Sequence, residues 1–335
     1  MNRTTIVVVT HNSAGVIAAC LDACLRADPA EVVVVDNHSA DDTLDVVRRC
    51  PTVRLMANQE NRGFAAAVNQ GVQETAAPSV LLLNPDAELL GGLTDLERAC
   101  SEPGVGAAAG LLVAEDGEPQ RGFSVRRLPT AAALVFETLG LNRLWPSNPV
   151  NRRYRCLDLD LSKAQEVEQP AGAFLLFRRD VWQKLGGFDE SFYPVWFEDV
   201  DFCRRLADAG YRVRFVPSAR ARHRGGHSFG TVSRQDRVVW WHRSLLNYAT
   251  RHLRAGPRWL VCGSVLAGAV LRMVTGKFTE MRNGGASRSY GKVILLAWSS
   301  LWSSRTGTGM SRVKPTERTD AAESSAQLRK RESRG

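Results

Sequence analysis

Ile6-Val7-Val8-Val9-Thr10-His11-Asn12-Ser13, then Val32-Val33-Val34-Val35-Asp36-Asn37-His38-Ser39, then Val80-Leu81-Leu82-Leu83-Asn84-Pro85-Asp86-Ala87: three times before residue 88 an unbroken apolar run gives way to polar side chains. A run that is apolar at every position lacks the alternation of a half-buried strand and reads as a strand covered on both faces. Between the runs, residues 16–25, 43–49 and 64–74 carry helical spacing, and residues 53–56 form a further short strand. Strands separated by helices predict an α/β fold with a mostly parallel central sheet flanked by helices. Ligands of such sheets bind beyond the carboxyl ends of the strands. That is where Asp36-Asn37-His38-Ser39 and Asn84-Pro85-Asp86 fall.

Further along, residues 114–166 are irregular and rich in Arg, Pro and Asn, and read as a long loop or small insertion. Such segments in compact domains commonly serve as lids or binding loops. Regular structure resumes at Ala173-Phe174-Leu175-Leu176-Phe177, followed by a helix at 181–185. Glu198-Asp199 open another helix, in which Val200, Cys203, Leu206 and Ala207 share a face and which Gly210 ends. Val213 to Val216 reads as a strand closed by Pro217. Trp259 to Thr275 is apolar except for Arg272, a little short of the ~20 residues that cross a bilayer. Val293 to Trp302 is shorter and carries two Trp. We expect an interfacial or docking segment over a span, and a disordered basic tail from Ser303.

The formal charge is +9, and thirteen Arg against two acids lie between Arg204 and Arg258. That concentration points to an anionic partner: a diphosphate, a phospholipid surface or a nucleic acid. No helix-turn-helix, zinc or aromatic-sheet motif accompanies it, which excludes the last. The seven cysteines form no zinc-like pairs and read as core thiols of a reducing compartment. No basic-plus-apolar leader opens the sequence, so no signal peptide is expected.

Moving a sugar from a nucleoside diphosphate requires a held base and ribose, a neutralised diphosphate and a proton acceptor. A cation on carboxylate oxygens meets the second need and a positioned carboxylate the third. Val8-Val9-Thr10-His11-Asn12-Ser13, Val35-Asp36-Asn37-His38-Ser39-Ala40-Asp41-Asp42-Thr43 and Glu60-Asn61-Arg62-Gly63-Phe64 resemble the nucleotide-binding half of family 2 glycosyltransferases. Leu83-Asn84-Pro85-Asp86-Ala87 resembles that family's metal motif. Pro170-Ala171-Gly172-Ala173, Gly186-Gly187-Phe188-Asp189-Glu190 and Phe197-Glu198-Asp199-Val200-Asp201 resemble its acceptor half. The resemblance covers about residues 4–255 and implies a GT-A, Rossmann-like nucleotide-diphospho-sugar transferase fold over 1–255. Its nucleotide half would occupy about 1–113 and its acceptor half about 167–230. A membrane-associating helical extension at 256–302 and the tail at 303–335 would follow.

The same resemblance implies roles. Asp36 would hydrogen-bond a uracil or thymine imide beside Thr10, while Asn61, Arg62 and Asn84 would line the nucleotide-sugar pocket. Asp86 would hold Mg²⁺ or Mn²⁺ with His223, His227 being the weaker alternative, and Arg222 and Arg224 would face a diphosphate. Asp199 would be the general base, kept charged by its helix dipole, with Glu198 orienting the acceptor. Trp240-Trp241-His242-Arg243-Ser244 and Leu245-Leu246-Asn247-Tyr248 resemble rhamnosyltransferases that extend polyprenyl-diphosphate-linked N-acetylglucosamine in cell-wall or surface-polysaccharide synthesis. The expectation is therefore an inverting, metal-dependent transferase peripheral to the cytoplasmic face of the cell membrane. Its partners would be a nucleotide sugar (best, dTDP-rhamnose), a polyprenyl-diphosphate acceptor and an anionic membrane surface. The alternatives are another donor sugar or a catalytically silent nucleotide-sugar-binding scaffold. A processive synthase would carry Gln-x-x-Arg-Trp, which Gln235-Asp236-Arg237-Val238-Val239-Trp240 does not match.

Overall fold

The computed structural model describes residues 4–225, 232–279 and 285–302. The first part alternates strand and helix: β1 (Thr4–Thr10), α1 (Ile17–Arg26), β2 (Glu31–Asp36), α2 (Thr43–Arg48), β3 (Arg54–Ala57), α3 (Phe64–Gln73) and β4 (Ser79–Leu83). β3-β2-β1-β4 pair in parallel, with Val8 in register with Val34 and Leu83. Successive side chains of these strands point to opposite faces, and both faces are covered. Ile6, Val8, Val32, Val34 and Leu81 pack with Ile17, Leu21 and Val47 of α1 and α2. Val7, Val33, Val35, Val80 and Leu82 pack with Ala67, Val68 and Val72 of α3. Double coverage is why the runs are apolar at every position.

β5 (Ala87–Gly91), α4 (Leu93–Cys100) and β6 (Val105–Val113) follow, then an insertion of β7 (Val125–Arg126), α5 (Ala131–Thr138), α6 (Leu141–Leu144), α7 (Pro149–Tyr154), β8 (Gln165–Val167) and β9 (Gln169–Pro170). Of the two readings of 114–166, a long loop or a small insertion, the structure has the folded insertion. Thr130 caps α5 by accepting from the Ala133 N–H, and Asn148 caps α7 ahead of Pro149. β10 (Phe174–Arg178) enters antiparallel between β4 and β6, and α8 (Arg179–Leu185) and α9 (Glu198–Asp208) pack behind it. The sheet order is β3-β2-β1-β4-β10-β6-β11-β5, so its first half is parallel and its second mixed.

Pro217 does not close its strand. β11 runs from Arg212 to His223, parallel to β6 and antiparallel to β5, with a register shift between Val216 and Arg220 that accommodates the missing proline N–H. α10 (Arg234–His252), α11 (Ala255–Thr279) and α12 (Gly285–Trp302) form the helical extension. They share a core with α5 and α9 in which Leu134, Leu245, Tyr248, Val261, Val265 and Val293 are buried. The seven cysteines are all free thiols. The tail at 303–335 and His227 lie outside the described residues.

Candidate active site

A cavity of about 480 Å³ lies at the carboxyl ends of β1 and β4, bounded by the insertion, the start of α9, the end of β11 and α10. Thr10, Asn61, Asn84, Asp86, Glu198, Asp199 and His223 all line it; Asp36 and Arg62 do not. Asp36 is fully buried beneath its floor. Its Oδ1 accepts from the hydroxyls of Thr10 at 2.9 Å and Ser39, and its Oδ2 accepts from the Ser39 N–H at 2.9 Å. Arg62 turns outward to Gln70 Oε1 at 3.2 Å, and only its backbone N–H faces inward, donating to Asn37 Oδ1 at 2.9 Å. Asn37, whose motif the sequence reading named without giving it a role, lines the cavity and donates to Asn61 Oδ1 at 2.9 Å. Gly63 closes this loop at φ +84°, and a Cβ there would stand 2.7 Å from the Tyr193 ring.

Asp86 and His223 come together because β11 and β5 pair with His223 opposite Ala87, one residue beyond Asp86. His223 Nε2 lies 3.4 Å from Asp86 Oδ1, both side chains being buried. Gln120 of the insertion fixes the imidazole. Its Nε2 donates to the His223 carbonyl at 2.7 Å, so its Oε1, 3.0 Å from Nδ1, must accept the Nδ1 proton. The His223 Nε2 then turns toward the carboxylate either a lone pair or a second proton. A cation between two such acceptors is what this donor set fits, and the anchored Nδ1–H is the usual support of an imidazole ligand. Among the described residues no three His, Cys, Asp or Glu side chains gather as a metal cluster. Phe123 stacks on His223 with ring centres 5.1 Å apart. Arg222 and Arg224, expected at a diphosphate, instead pair with Glu88, and Arg224 also pairs with Glu115 at 3.2 Å.

Glu198 and Asp199 begin α9 as the spacing predicts, after two non-glycine residues held at positive φ, Trp196 (79°) and Phe197 (71°). Strained backbone of this kind concentrates at functional sites. Asp199 Oδ2 accepts from the Gly172 N–H at 2.9 Å and Oδ1 from the Val200 N–H at 2.8 Å. A Cβ on Gly172 would lie 3.0 Å from that of Asp199, so any larger residue there would press Asp199 to shift by a few tenths of an ångström. Burial raises the Asp199 pKa, while the Gly172 and Val200 N–H groups and the charge of Arg126 oppose the rise. The helix dipole alone therefore does not set its state. Burial, reinforced by the negative charge of Asp199, pushes Glu198 well above the carboxylate range. Its Oε2 accepts no hydrogen bond among the described residues. Two adjacent carboxyls thus differ in proton affinity: at Asp199 backbone donors and the charge of Arg126 oppose burial, whereas at Glu198 the charge of Asp199 adds to burial and together they outweigh its backbone donors.

Comparison with known proteins gives the family and the fold. A family model described as Glycosyl transferase family 2 matches residues 5–186, and one described as Glycosyl transferase family group 2 matches residues 161–305. The N-acetylglucosaminyl-diphospho-decaprenol L-rhamnosyltransferase of Mycobacterium tuberculosis (strain H37Rv) is 32% identical over 254 residues, covering 71% of this chain and 81% of that protein. Staphylococcus aureus TarS 1-349 in complex with UDP-GlcNAc matches with a TM-score of 0.54 at 16% identity, covering 90% of this chain and 82% of that one. The Pyrobaculum calidifontis mannosyltransferase PcManGT in complex with GDP-Man and Mn²⁺ matches with a TM-score of 0.52 at 20% identity, over 90% and 87%. At these identities the two structures establish the fold.

Proposed function

Because the chain belongs to glycosyltransferase family 2, we propose that its cavity transfers L-rhamnose from a thymidine diphosphate donor to N-acetylglucosamine on a polyprenyl diphosphate, inverting the anomeric carbon. The observation that carries this reading is a carboxylate held by two backbone N–H groups, Asp199, in one cavity with the Asp86–His223 pair. The M. tuberculosis relative, named for L-rhamnosyl transfer to N-acetylglucosaminyl-diphospho-decaprenol, supports the choice of sugar and acceptor.

The acceptor hydroxyl oxygen attacks the anomeric carbon while its proton passes to Asp199. The bond from that carbon to the diphosphate oxygen breaks, and the nucleoside diphosphate leaves with the electron pair. A single displacement of this kind inverts configuration. Glu198, whose hold on its proton burial strengthens, donates a hydrogen bond to an acceptor oxygen. Mg²⁺ or Mn²⁺ held by Asp86 and His223 would supply positive charge for the departing diphosphate. Thr10, Asn37, Asn61 and Asn84 hold the nucleotide sugar above the buried Asp36.

The acceptor's lipid places the reaction at a membrane surface. Ala255–Thr275 of α11 is long and apolar enough to cross a bilayer by length and composition. One side of it packs into the protein core, and Arg272 donates to the Thr138 carbonyl at 2.6 Å. Its other side exposes Trp259, Leu260, Leu271 and Val274, and α12 exposes Leu295, Trp298 and Trp302. Seating of this face in the interface fits such a two-sided helix better than a span.

The test is a donor screen with full-length protein in detergent and a polyprenyl-diphospho-N-acetylglucosamine acceptor. Acceptor-dependent nucleotide release from dTDP-L-rhamnose is expected, with the product's anomeric configuration opposite to the donor's. Retained configuration, or no release from any thymidine or uridine diphosphate sugar, overturns the reading.

A further inference from the structure

Besides its charge acting on Asp199, Arg126 lines the cavity with no contact to substrate assigned above. Arg126 stands on β7, which pairs antiparallel with β9 so that Arg126 is in register with Gln169. Its Nε donates to the Gly122 carbonyl at 2.7 Å, and its guanidinium carbon lies 5.9 Å from the ring centres of both Phe123 and Tyr154. The neighbouring arginines of the insertion have carboxylate partners: Arg127 pairs with Glu168 at 3.0 Å and Arg155 with Glu137 at 3.3 Å. Arg126 forms no ion pair with a carboxylate among the described residues. A guanidinium oriented by two rings and one carbonyl, with its terminal nitrogens uncommitted to a carboxylate, matches a phosphate oxygen pair.

Its place in the wall tells which phosphate. The nucleotide end of the cavity is built by Thr10, Asn37 and Asn61 at the strand ends. Arg126 belongs to the insertion, and α5 begins just beyond it. Leu134 and Glu137 of α5 line the cavity, while Thr138 of the same helix holds α11 through Ser264 Oγ at 2.8 Å and Arg272 at 2.6 Å. α5 is thus the partition between the cavity and the helix whose outer side is apolar. Beyond β9 the chain turns at Gly172, three residues after Gln169, and the Gly172 N–H donates to Asp199.

We propose that Arg126 is the acceptor-side diphosphate site: it binds the diphosphate that joins an acceptor sugar to its lipid, and so sets the distance from that group to Asp199. This assignment rests on the transferase reading above, and the ligand chemistry, a diphosphate, is shared with the nucleotide donor.

The test measures dissociation constants of the full-length protein in detergent for farnesyl diphosphate, farnesyl monophosphate and thymidine diphosphate. Arg126→Met should weaken farnesyl diphosphate roughly tenfold to a hundredfold, the worth of hydrogen bonds to a charged group. Thymidine diphosphate should stay within about twofold, which also reports that the variant is folded. Arg126→Lys should recover part of the loss, and wild type should prefer the farnesyl diphosphate to the monophosphate. Unchanged farnesyl diphosphate binding, or a loss confined to or equal for thymidine diphosphate, overturns the proposal. Sugar transfer to a polyprenyl-diphosphate acceptor with KM unaltered by Arg126→Met would sink the subsite and leave the transferase reading intact. Arg126-dependent farnesyl diphosphate binding with no sugar moved from any donor would do the reverse.

Discussion

At the scale of the residue, Asp199 and Glu198 are buried neighbours for which opposite tasks are proposed. Asp199→Asn keeps shape and hydrogen bonding but removes the proton acceptor, so donor binding should persist while kcat falls by about 10² to 10⁴. In wild type the acid limb of kcat/KM should lie above the ordinary Asp value of about 3.9, because burial raises the Asp199 pKa. A limb at or below that value would remove Asp199 from the role of base. Glu198 makes a stability prediction with the sign worked through linkage. Its folded pKa lies above an unfolded value of about 4.3, so the folded state holds the proton more tightly. Its contribution is full below that unfolded pKa and is lost as pH rises toward the folded one. Glu198→Gln should flatten the decline of Tm across that window; a decline as steep as wild type's excludes this origin. Asp86, Asp199 and Glu198 were legible because each follows a strand or opens a helix with a regular pattern. Gln120, Phe123 and Arg126 were not, because their segment has no period and only the fold brings it against His223 and Asp199.

At the scale of the element, β11 shows how a proline misleads. Pro217 predicts an end, yet the strand continues through a register shift and delivers His223 opposite the residue after Asp86. The proposed metal pair therefore depends on this pairing. Chelation should abolish turnover and added Mg²⁺ or Mn²⁺ restore it, and Asp86→Ala should cost more than about a hundredfold. Full activity in excess chelator would refute the cation. The start of α9 was legible, but what anchors it was not. Asp201 is buried and accepts from His252 Nε2 and Arg205 Nε, each at 2.7 Å, while Arg205 also donates to the carbonyls of Leu185 and Gly187. Burial acts to raise the Asp201 pKa, and hydrogen bonding and charge from His252 and Arg205 more than reverse it. Asp201→Ala should lower unfolding free energy by about 3 kcal/mol, as expected when one partner of a buried pair is removed. Urea titration near neutral pH measures it, and a change under about 1 kcal/mol would show that α9 is held by packing alone.

At the scale of the whole molecule, the Arg-rich stretch is less of a field than its count suggests. Among the described residues at least seven of its thirteen arginines, Arg204, Arg205, Arg212, Arg214, Arg222, Arg224 and Arg251, sit in ion pairs, most with acids from outside the stretch. A local charge count sees only neighbours in sequence, whereas the fold supplies partners from β5, β8 and the loops. Attachment to membranes should accordingly rest on the apolar side of α11 and α12 more than on charge. Full-length protein should co-sediment with anionic liposomes and stay largely bound at high salt. Joint replacement of exposed Trp259, Leu271 and Trp298 by Ser should release it with Tm little changed, whereas truncation before α11 would strip Val261 and Val265 from the core. A supernatant protein at low salt would end the membrane assignment. With α5 as a wall shared by the cavity and α11, the proposed seating would also change what concentration means for this catalyst. Its acceptor would be met by two-dimensional diffusion at a fixed height above the lipid, so the rate would follow the acceptor's mole fraction in the surface and be diluted by added neutral lipid, even with every amount per litre of solution held constant.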